Sequence, residues 1–265
     1  MSYQIKFFNK SWSDFETPSV VATASEGQTY AYLPFNRSNL NAWQTTGSAD
    51  ANNTTYVVDF GTTRSVDSLI LLIHNFKAFT VKYWNGTTYV DFSTPIAETA
   101  NTASSSFYSF TSVDTNKIKI TITACMVVDD DKYLFQFIAT TLIGQLAGWP
   151  IISKHNVSKN RVINQMLSGK SVVFENTGFF SCNLSVERWT SNADLTIVEA
   201  LYNSTEGFLV SLCGGSETQF KTTRQGYRKQ DLFLMKCTNE YSADYYSGIY
   251  NSGVNISIDL MEVTT

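Results

Sequence analysis

Apolar and polar residues alternate with a period of two along much of this chain, and this pattern limits the folds that it can adopt. In residues 117–122 three isoleucines alternate with two lysines and a threonine, and residues 254–260 repeat the pattern near the C-terminus. Successive side chains of a β-strand point to opposite faces of a sheet, so this period predicts strands with one buried face. We therefore expect an all-β, mainly β, chain.

Turn signals and a low charge content agree with this expectation. Asn85-Gly86 separates two alternating segments, residues 79–84 and 87–92, and this dipeptide favours a two-residue hairpin turn. Residues 66–73 form a nearly continuous apolar run, which is typical of a strand buried on both faces. Only 16% of the residues are charged and 14% are aromatic, a composition that suits strands better than helices.

Two glycines and a proline at positions 144, 148 and 150 predict a domain boundary. We divide the chain into domains 1–146 and 147–265. In the second domain, residues 191–203 have apolar residues at helical spacing, a serine able to cap the helix, and Asp194 in the first turn. The second domain is therefore predicted to be a β-sandwich, or alternatively an open barrel, with one flanking α-helix.

The sequence contains no recognised catalytic motif. It lacks a nucleophile elbow, a phosphate-binding loop, a dinucleotide fingerprint and a zinc-protease motif. Of its two histidines, His74 ends an apolar strand and favours a structural role, while His155 lies in a polar segment and is a candidate contact residue. We predict no enzymatic activity and no cofactor. A glycan-degrading enzyme with two acids distant in sequence is the alternative, to be tested by turnover.

Metal, nucleic acid and membrane binding are not predicted either. Cysteines 125, 182, 213 and 237 form no CxxC pair, which favours buried free thiols over zinc ligands. The acidic residues 129–131 favour a solvated turn over a calcium site. The net charge is −4, so the basic segment 221–229 is interpreted as a solvated loop. No apolar run is long enough to span a bilayer. The first ten residues predict no secretion signal and therefore synthesis in a cytoplasm.

Aromatic side chains are the candidate contacts for a ligand or a protein partner. Trp43, Trp84 and Tyr89 lie near predicted loops, and aromatic faces stack on sugar rings or pack into a partner. The alternative is that these residues belong to the core.

Three segments of the first half resemble the discoidin (coagulation factor type C) family. They are residues 35–43, which end in a tryptophan, residues 56–61, with the sequence Tyr-Val-Val-Asp-Phe-Gly, and the strand at residues 66–71. The resemblance covers residues 25–145, with Phe60 where the family usually has leucine and without the family's frequent cysteine pair. It implies a jelly roll of eight strands that binds glycans, lipid heads or proteins through loops at one end.

The second half resembles distal-tail and tail-tube proteins of long-tailed phages, in residues 169–174 and 206–215. This resemblance implies a homo-oligomeric ring in a virion tail, in contact with the tube, hub and tip proteins. Our functional prediction is a structural component of the tail or baseplate that mediates assembly and binds a cell-surface glycan. The alternative is a free carbohydrate-binding module or lectin.

Overall fold

The computed structural model describes most of the chain, with gaps. The described residues are 5–12, 21–36, 41–46, 50, 52–146, 151–158, 161–165, 171–175, 179–189, 192–211, 232–240, 243–247 and 252–263. Within these ranges, no helix has the length and apolar character needed to cross a bilayer.

The described elements are mostly strands, numbered here in chain order. They are β1 (Lys6–Asn9), β2 (Val21–Ala24), β3 (Trp43–Gln44), β4 (Thr54–His74), β5 (Phe76–Trp84), β6 (Tyr89–Glu98), β7 (Ser105–Cys125), β8 (Tyr133–Thr140), β9 (Leu142–Gln145), β10 (Ile151–Ser158), β11 (Arg161–Gln165), β12 (Ser171–Glu175), β13 (Phe179–Trp189), β14 (Phe208–Ser211), β15 (Leu232–Cys237), β16 (Ala243–Ser247) and β17 (Ser252–Glu262). The helix α1 (Asn192–Tyr202) lies between β13 and β14, and short 3-10 turns cover Gln28–Tyr30 and Leu33–Phe35.

The described residues fall into two compact units. The jelly-roll unit holds those of 8–142, and the helix-bearing unit holds those of 5–7, 143–211 and 232–263. The start of β1 therefore belongs to the unit formed by the later half of the chain. The boundary between residues 146 and 147 stays a prediction.

Two long strands build the jelly-roll unit as a sandwich. Residues 54–59 of β4 pair with residues 117–122 of β7, and residues 64–72 of β4 pair with residues 105–115 of β7. The first stretch adjoins β2 and, through β7, also β5 and β6, which gives a five-stranded antiparallel layer. The second stretch adjoins β8 and then β3, which gives a four-stranded antiparallel layer.

One buried cluster lies between these two layers. Val58 and Ile120 of the five-stranded layer share it with Leu69, Leu71 and Phe137 of the four-stranded layer. The side chains alternate along each strand, so the opposite face of the five-stranded layer carries polar and charged residues. The isoleucines of residues 117–122 point inward, as their alternation predicts.

Strand β4 is buried on both faces along residues 68–72, as the apolar run predicts. Ile70 is fully buried although it faces away from the cluster that holds Leu69 and Leu71. Phe107, its partner in β7, packs edge-to-face against Phe8. Ile70 and Phe107 are therefore shielded from solvent on the outer side of this layer.

The helix-bearing unit is an antiparallel sheet with α1 packed against it. Its strands lie in the order β10-β13-β17-β15-β14-β1-β9, and β16 also pairs with β17. Val198 and Leu201 of α1 share a buried cluster with Phe208, Met235 and Ile258 of the sheet. The predicted all-β fold class is confirmed, with a jelly-roll sandwich first and one helix in the second unit. Where the sequence predicted a second sandwich, the described residues form this large sheet and a two-stranded sheet of β11 and β12.

Candidate ligand-binding site

The outer face of the five-stranded layer carries an aromatic pair at the end of a hairpin. Trp84 ends β5 and Tyr89 begins β6, and the two residues are paired in register. Their ring centroids lie 5.1 Å apart at an interplanar angle of 66°, an edge-to-face arrangement. Both side chains are partly exposed. We call this pair, together with the charged side chains of Asp59, Lys82, Asp91, Lys117 and Lys119, the aromatic platform.

A closed turn holds the platform in place. The Asn85 side-chain oxygen accepts hydrogen bonds from the backbone N–H groups of residues 87 and 88, at 3.0 and 2.9 Å. Gly86 has a φ of 98°, a conformation that glycine adopts without steric cost. The Thr115 hydroxyl also donates a hydrogen bond of 2.8 Å to the Trp84 carbonyl oxygen. These contacts fix the position of the tryptophan backbone relative to β7.

Two ion pairs lie on the same outer face. The Lys117 Nζ atom is 2.9 Å from Asp59 Oδ2, and this hydrogen bond raises the pKa of Lys117 above its ordinary value. The Lys82 Nζ atom is 3.3 Å from Asp91 Oδ1. Both pairs are partly exposed, so each contributes little to stability. They do supply hydrogen-bond donors and acceptors beside the aromatic rings.

Lys119 completes the platform. Its Nζ atom lies 4.3 Å from the centroid of the Tyr89 ring, a cation–π contact. Burial is the largest influence on the Tyr89 phenol and raises its pKa, so the hydroxyl is protonated at neutral pH and able to donate a hydrogen bond. The platform therefore combines ring faces, hydroxyl donors and charged groups.

Trp43 lies elsewhere, in the core of the sandwich. Its side chain is fully buried, its ring centroid is 4.9 Å from that of Tyr56, and its Nε1 atom donates a 3.0 Å hydrogen bond to the Glu26 carbonyl oxygen. A ligand reaches neither face of a ring buried to this extent. The structure thus brings Trp84 and Tyr89 together and places Trp43, predicted with them as a contact, among the core residues.

His74 has a structural environment. It is fully buried, and burial lowers its pKa to about 3. Its Nδ1 atom accepts a hydrogen bond from the Phe76 backbone N–H at 3.2 Å, which leaves the proton on Nε2, 3.0 Å from the Ser106 hydroxyl oxygen. A histidine held neutral in this way is no general base for a ligand in solution. His155 lies in β10, and its side chain is outside the described part of the structure.

The carboxylates of the acidic turn at residues 129–131 accept hydrogen bonds from protein groups, two of them in other segments of the chain. Asp129 Oδ1 accepts a hydrogen bond from the Asp50 backbone N–H at 3.1 Å, and Asp131 Oδ2 accepts one from Gln44 Nε2 at 3.3 Å. Asp130 Oδ1 accepts the Asp131 N–H at 2.9 Å. Across the described ranges, no group of three or more histidine, cysteine and acidic residues is arranged to hold a metal ion.

The described cysteines are free thiols. Burial raises the pKa to about 11 for Cys125 and to about 12 for Cys182 and Cys237. The thiolate is the nucleophilic form, so burial disfavours the reactive form of these side chains at neutral pH. Cys213 lies outside the described residues.

The charged members of the platform did not figure among the residues singled out from the sequence. Lys117 and Lys119 are two residues apart in a predicted strand, which was a signal that they share a face. Asp59 and Lys82 lie on other strands, and only the pairing register brings them to these lysines.

The comparisons with known proteins place only solved structures beside this chain. No family model matches it, and no curated protein matches it. A chitosan-binding module from a chitosanase/glucanase of Paenibacillus sp. IK-5 is 16% identical and covers 50% of this chain and 98% of its own, with a TM-score of 0.43. The family 32 carbohydrate-binding module of NanJ from Clostridium perfringens, in complex with galactose, is 17% identical, covers 49% and 98%, and has a TM-score of 0.40. A fucosidase from Ruminococcus gnavus is 14% identical, covers 49% of this chain and 26% of its own, and has a TM-score of 0.39.

Proposed function

We propose that the jelly-roll unit is a non-catalytic carbohydrate-binding module whose sugar contact is the aromatic platform. The observation that carries the proposal is the partly exposed edge-to-face pair of Trp84 and Tyr89 on the outer face of the five-stranded layer. The apolar C–H face of a sugar ring packs on an aromatic ring, while its hydroxyls need hydrogen-bond partners. Lys82, Asp91 and Lys117 supply such partners beside the rings.

The described histidine and cysteine side chains are poorly suited to acid–base catalysis. His74 is buried and neutral, and the described thiols have pKa values far above neutral pH. General acid–base catalysis requires a group whose pKa lies near the working pH and which reaches the substrate. The described histidine and thiols therefore supply no such group at the platform.

A glycan array with the full chain tests this function. We expect retention of a subset of glycans, and we expect Trp84→Ala to weaken binding of those glycans by about tenfold or more, because an aromatic contact of this kind contributes about 1–2 kcal/mol. Calorimetry with a retained glycan measures the change in affinity.

Tyr32→Ala is the matched control, because Tyr32 is an aromatic residue of the same unit that is 51% exposed and lies outside the platform. Its affinity should equal that of the unmodified chain. An array without any retained glycan contradicts the function. Glycan binding that Trp84→Ala leaves unchanged contradicts the assignment of the platform and places the sugar contact on another surface.

We propose, second, that the chain carries this module as a structural component of a phage tail, in a homo-oligomeric ring within the virion. The support is the resemblance of residues 169–174 and 206–215 to distal-tail proteins. Light scattering of the full chain on a sizing column tests the ring. A discrete ring of several copies agrees with the tail role, and a monomer at high concentration favours a free lectin.

A further inference from the structure

The outer face of the five-stranded layer has an uneven charge balance at the platform. The segments 54–59, 80–84, 89–91 and 117–121 contain three lysines and two aspartates and no other charged residue. Lys117 pairs with Asp59, and Lys82 pairs with Asp91. Lys119 has no carboxylate partner among the described residues, and its ammonium group contacts the Tyr89 ring. Among the described residues of this face, the positive charges therefore exceed the negative ones by one.

The pairing register places that charge at the centre of the face. Lys119 lies between Val57 of β4 and Lys82 of β5. Like charges directly opposite each other on neighbouring strands repel, so the Lys82 ammonium adds to the positive potential at Lys119. Val57, on the other side, offers no counter-charge. An anion that reached Lys119 would meet three ammonium groups and two compensating carboxylates, those of Asp59 and Asp91.

The same lysine is also part of the aromatic surface. Its ammonium group lies 4.3 Å from the Tyr89 ring centroid. The Trp84 ring centroid lies 5.1 Å from that of Tyr89, in the edge-to-face arrangement described above. A sugar ring resting on Trp84 or Tyr89 is thus within reach of a charged hydrogen-bond donor. Hydrogen bonds between ammonium and carboxylate groups are about twice as strong as neutral ones.

We propose that the aromatic platform selects acidic saccharides, with a sugar carboxylate bound by Lys119 and the sugar ring packed on Trp84 or Tyr89. This inference rests on the proposed function and deepens it by naming the class of glycan. The two ion pairs remain in place and supply hydrogen bonds to the sugar hydroxyls. Neutral glycans would pack on the aromatic rings but would provide no negative charge to pair with Lys119.

A glycan array that carries both neutral glycans and glycans with uronic or sialic acid tests the inference, with the full chain and four variants as probes, Trp84→Ala among them. We expect the retained glycans to be those with a carboxylate. Lys119→Gln should weaken their binding by about tenfold, the factor that corresponds to about 1.4 kcal/mol. Lys119→Arg keeps the charge and should keep the preference for acidic glycans.

Lys77→Gln is the matched control, since it removes one exposed lysine from the same strand as Lys82 but outside the platform. It should leave the array pattern unchanged. Raising the salt concentration from about 50 mM to about 300 mM should weaken the binding of acidic glycans, because salt screens the attraction between exposed charges over a shorter distance.

The outcomes separate the inference from the function beneath it. Retention of neutral glycans alone, in a manner that depends on Trp84, overturns the selection of acidic saccharides and leaves the binding function standing. The inference is also overturned if Lys119→Gln and Lys77→Gln weaken the binding of acidic glycans equally, because general surface charge then accounts for that binding. An array without retained glycans overturns both.

Discussion

At the scale of single residues, two tryptophans of the jelly-roll unit have different roles. Trp43 has its ring buried and its N–H bonded to the Glu26 carbonyl oxygen, so it stabilises the core. Trp84 ends a strand at a hairpin and keeps part of its ring in solvent. Both tryptophans precede or follow polar segments in the sequence, and no local feature distinguishes them. Burial depends on where the surrounding strands lie.

His74 makes the stability of the jelly-roll unit sensitive to acid. Its pKa is about 3 in the folded chain, against an ordinary value of 6.5. Between these values the unfolded chain binds a proton that the folded chain does not, so stability is lost as the pH falls below about 6.5. From pH 7 to pH 5 this group alone should lower the free energy of unfolding by about 2 kcal/mol.

Urea unfolding of the unmodified chain and of His74→Gln at both pH values measures this effect. Gln does not titrate, so the variant should lose about 2 kcal/mol less than the unmodified chain on acidification. Equal losses in the two proteins would show that His74 does not cause the acid sensitivity.

Gly27 is required by both its backbone and its surroundings. Its φ is 65°, and a Cβ atom there would overlap the Gln44 carbonyl oxygen and lie 3.0 Å from Trp43 Nε1. Gly27→Ala should therefore lower stability by about 2 kcal/mol or more, since neither atom sits at the end of a flexible chain. Thermal unfolding measures the loss.

Gly86→Ala is the control for the backbone contribution. Gly86 also has a positive φ, of 98°, but a Cβ atom there meets nothing within 4 Å. Its substitution should cost less than that of Gly27. A larger loss for Gly86→Ala would mean that crowding around Gly27 is relieved by movement of the neighbouring loop.

At the scale of elements, local signals in the sequence predicted several strands and the helix. Asn85-Gly86 marks the turn between β5 and β6, the isoleucines of residues 117–122 mark the inner face of β7, and the spacing in residues 191–203 marks α1 (Asn192–Tyr202). Each signal acts over a few residues, because it reflects a turn conformation or the burial of one face.

Other features of the elements depend on distant pairing and had no such signal. Strands β4 and β7 each run for 21 residues and pass from one layer to the other. Their register shifts between Asp59 and Arg64, and this shift is set by contacts between segments about 60 residues apart in sequence. The pairing of β1 with β14 and β9 is equally remote from any local pattern.

We expect the stability of the helix-bearing unit to depend on the packing of α1 against its sheet. Leu201 is 1% exposed and shares its cluster with Phe208 and Met235, so Leu201→Ala should cost about 2–4 kcal/mol through lost burial and a cavity. Glu199→Ala, at an exposed position of the same helix, should change stability by less than about 0.5 kcal/mol. Urea unfolding compares the two. Similar losses would mean that α1 does not depend on its packing against the sheet.

At the scale of the whole molecule, the chain combines a sandwich with an open charged face and a second sheet covered by one helix. The sequence indicated the fold class, because alternation and turn residues repeat through the chain. It indicated two of the platform residues by their aromatic character alone. It did not indicate Lys119, whose uncompensated charge depends on which carboxylates the register places beside Lys82 and Lys117.

The central claim is that the aromatic platform contacts a sugar. The most direct measurement is a two-dimensional NMR spectrum of the indole N–H groups, because the chain has five tryptophans and Trp84→Ala identifies the signal of Trp84. A glycan retained on the array should shift the Trp84 signal and leave that of the buried Trp43 in place. A glycan that binds while the Trp84 signal stays unchanged would contradict the account.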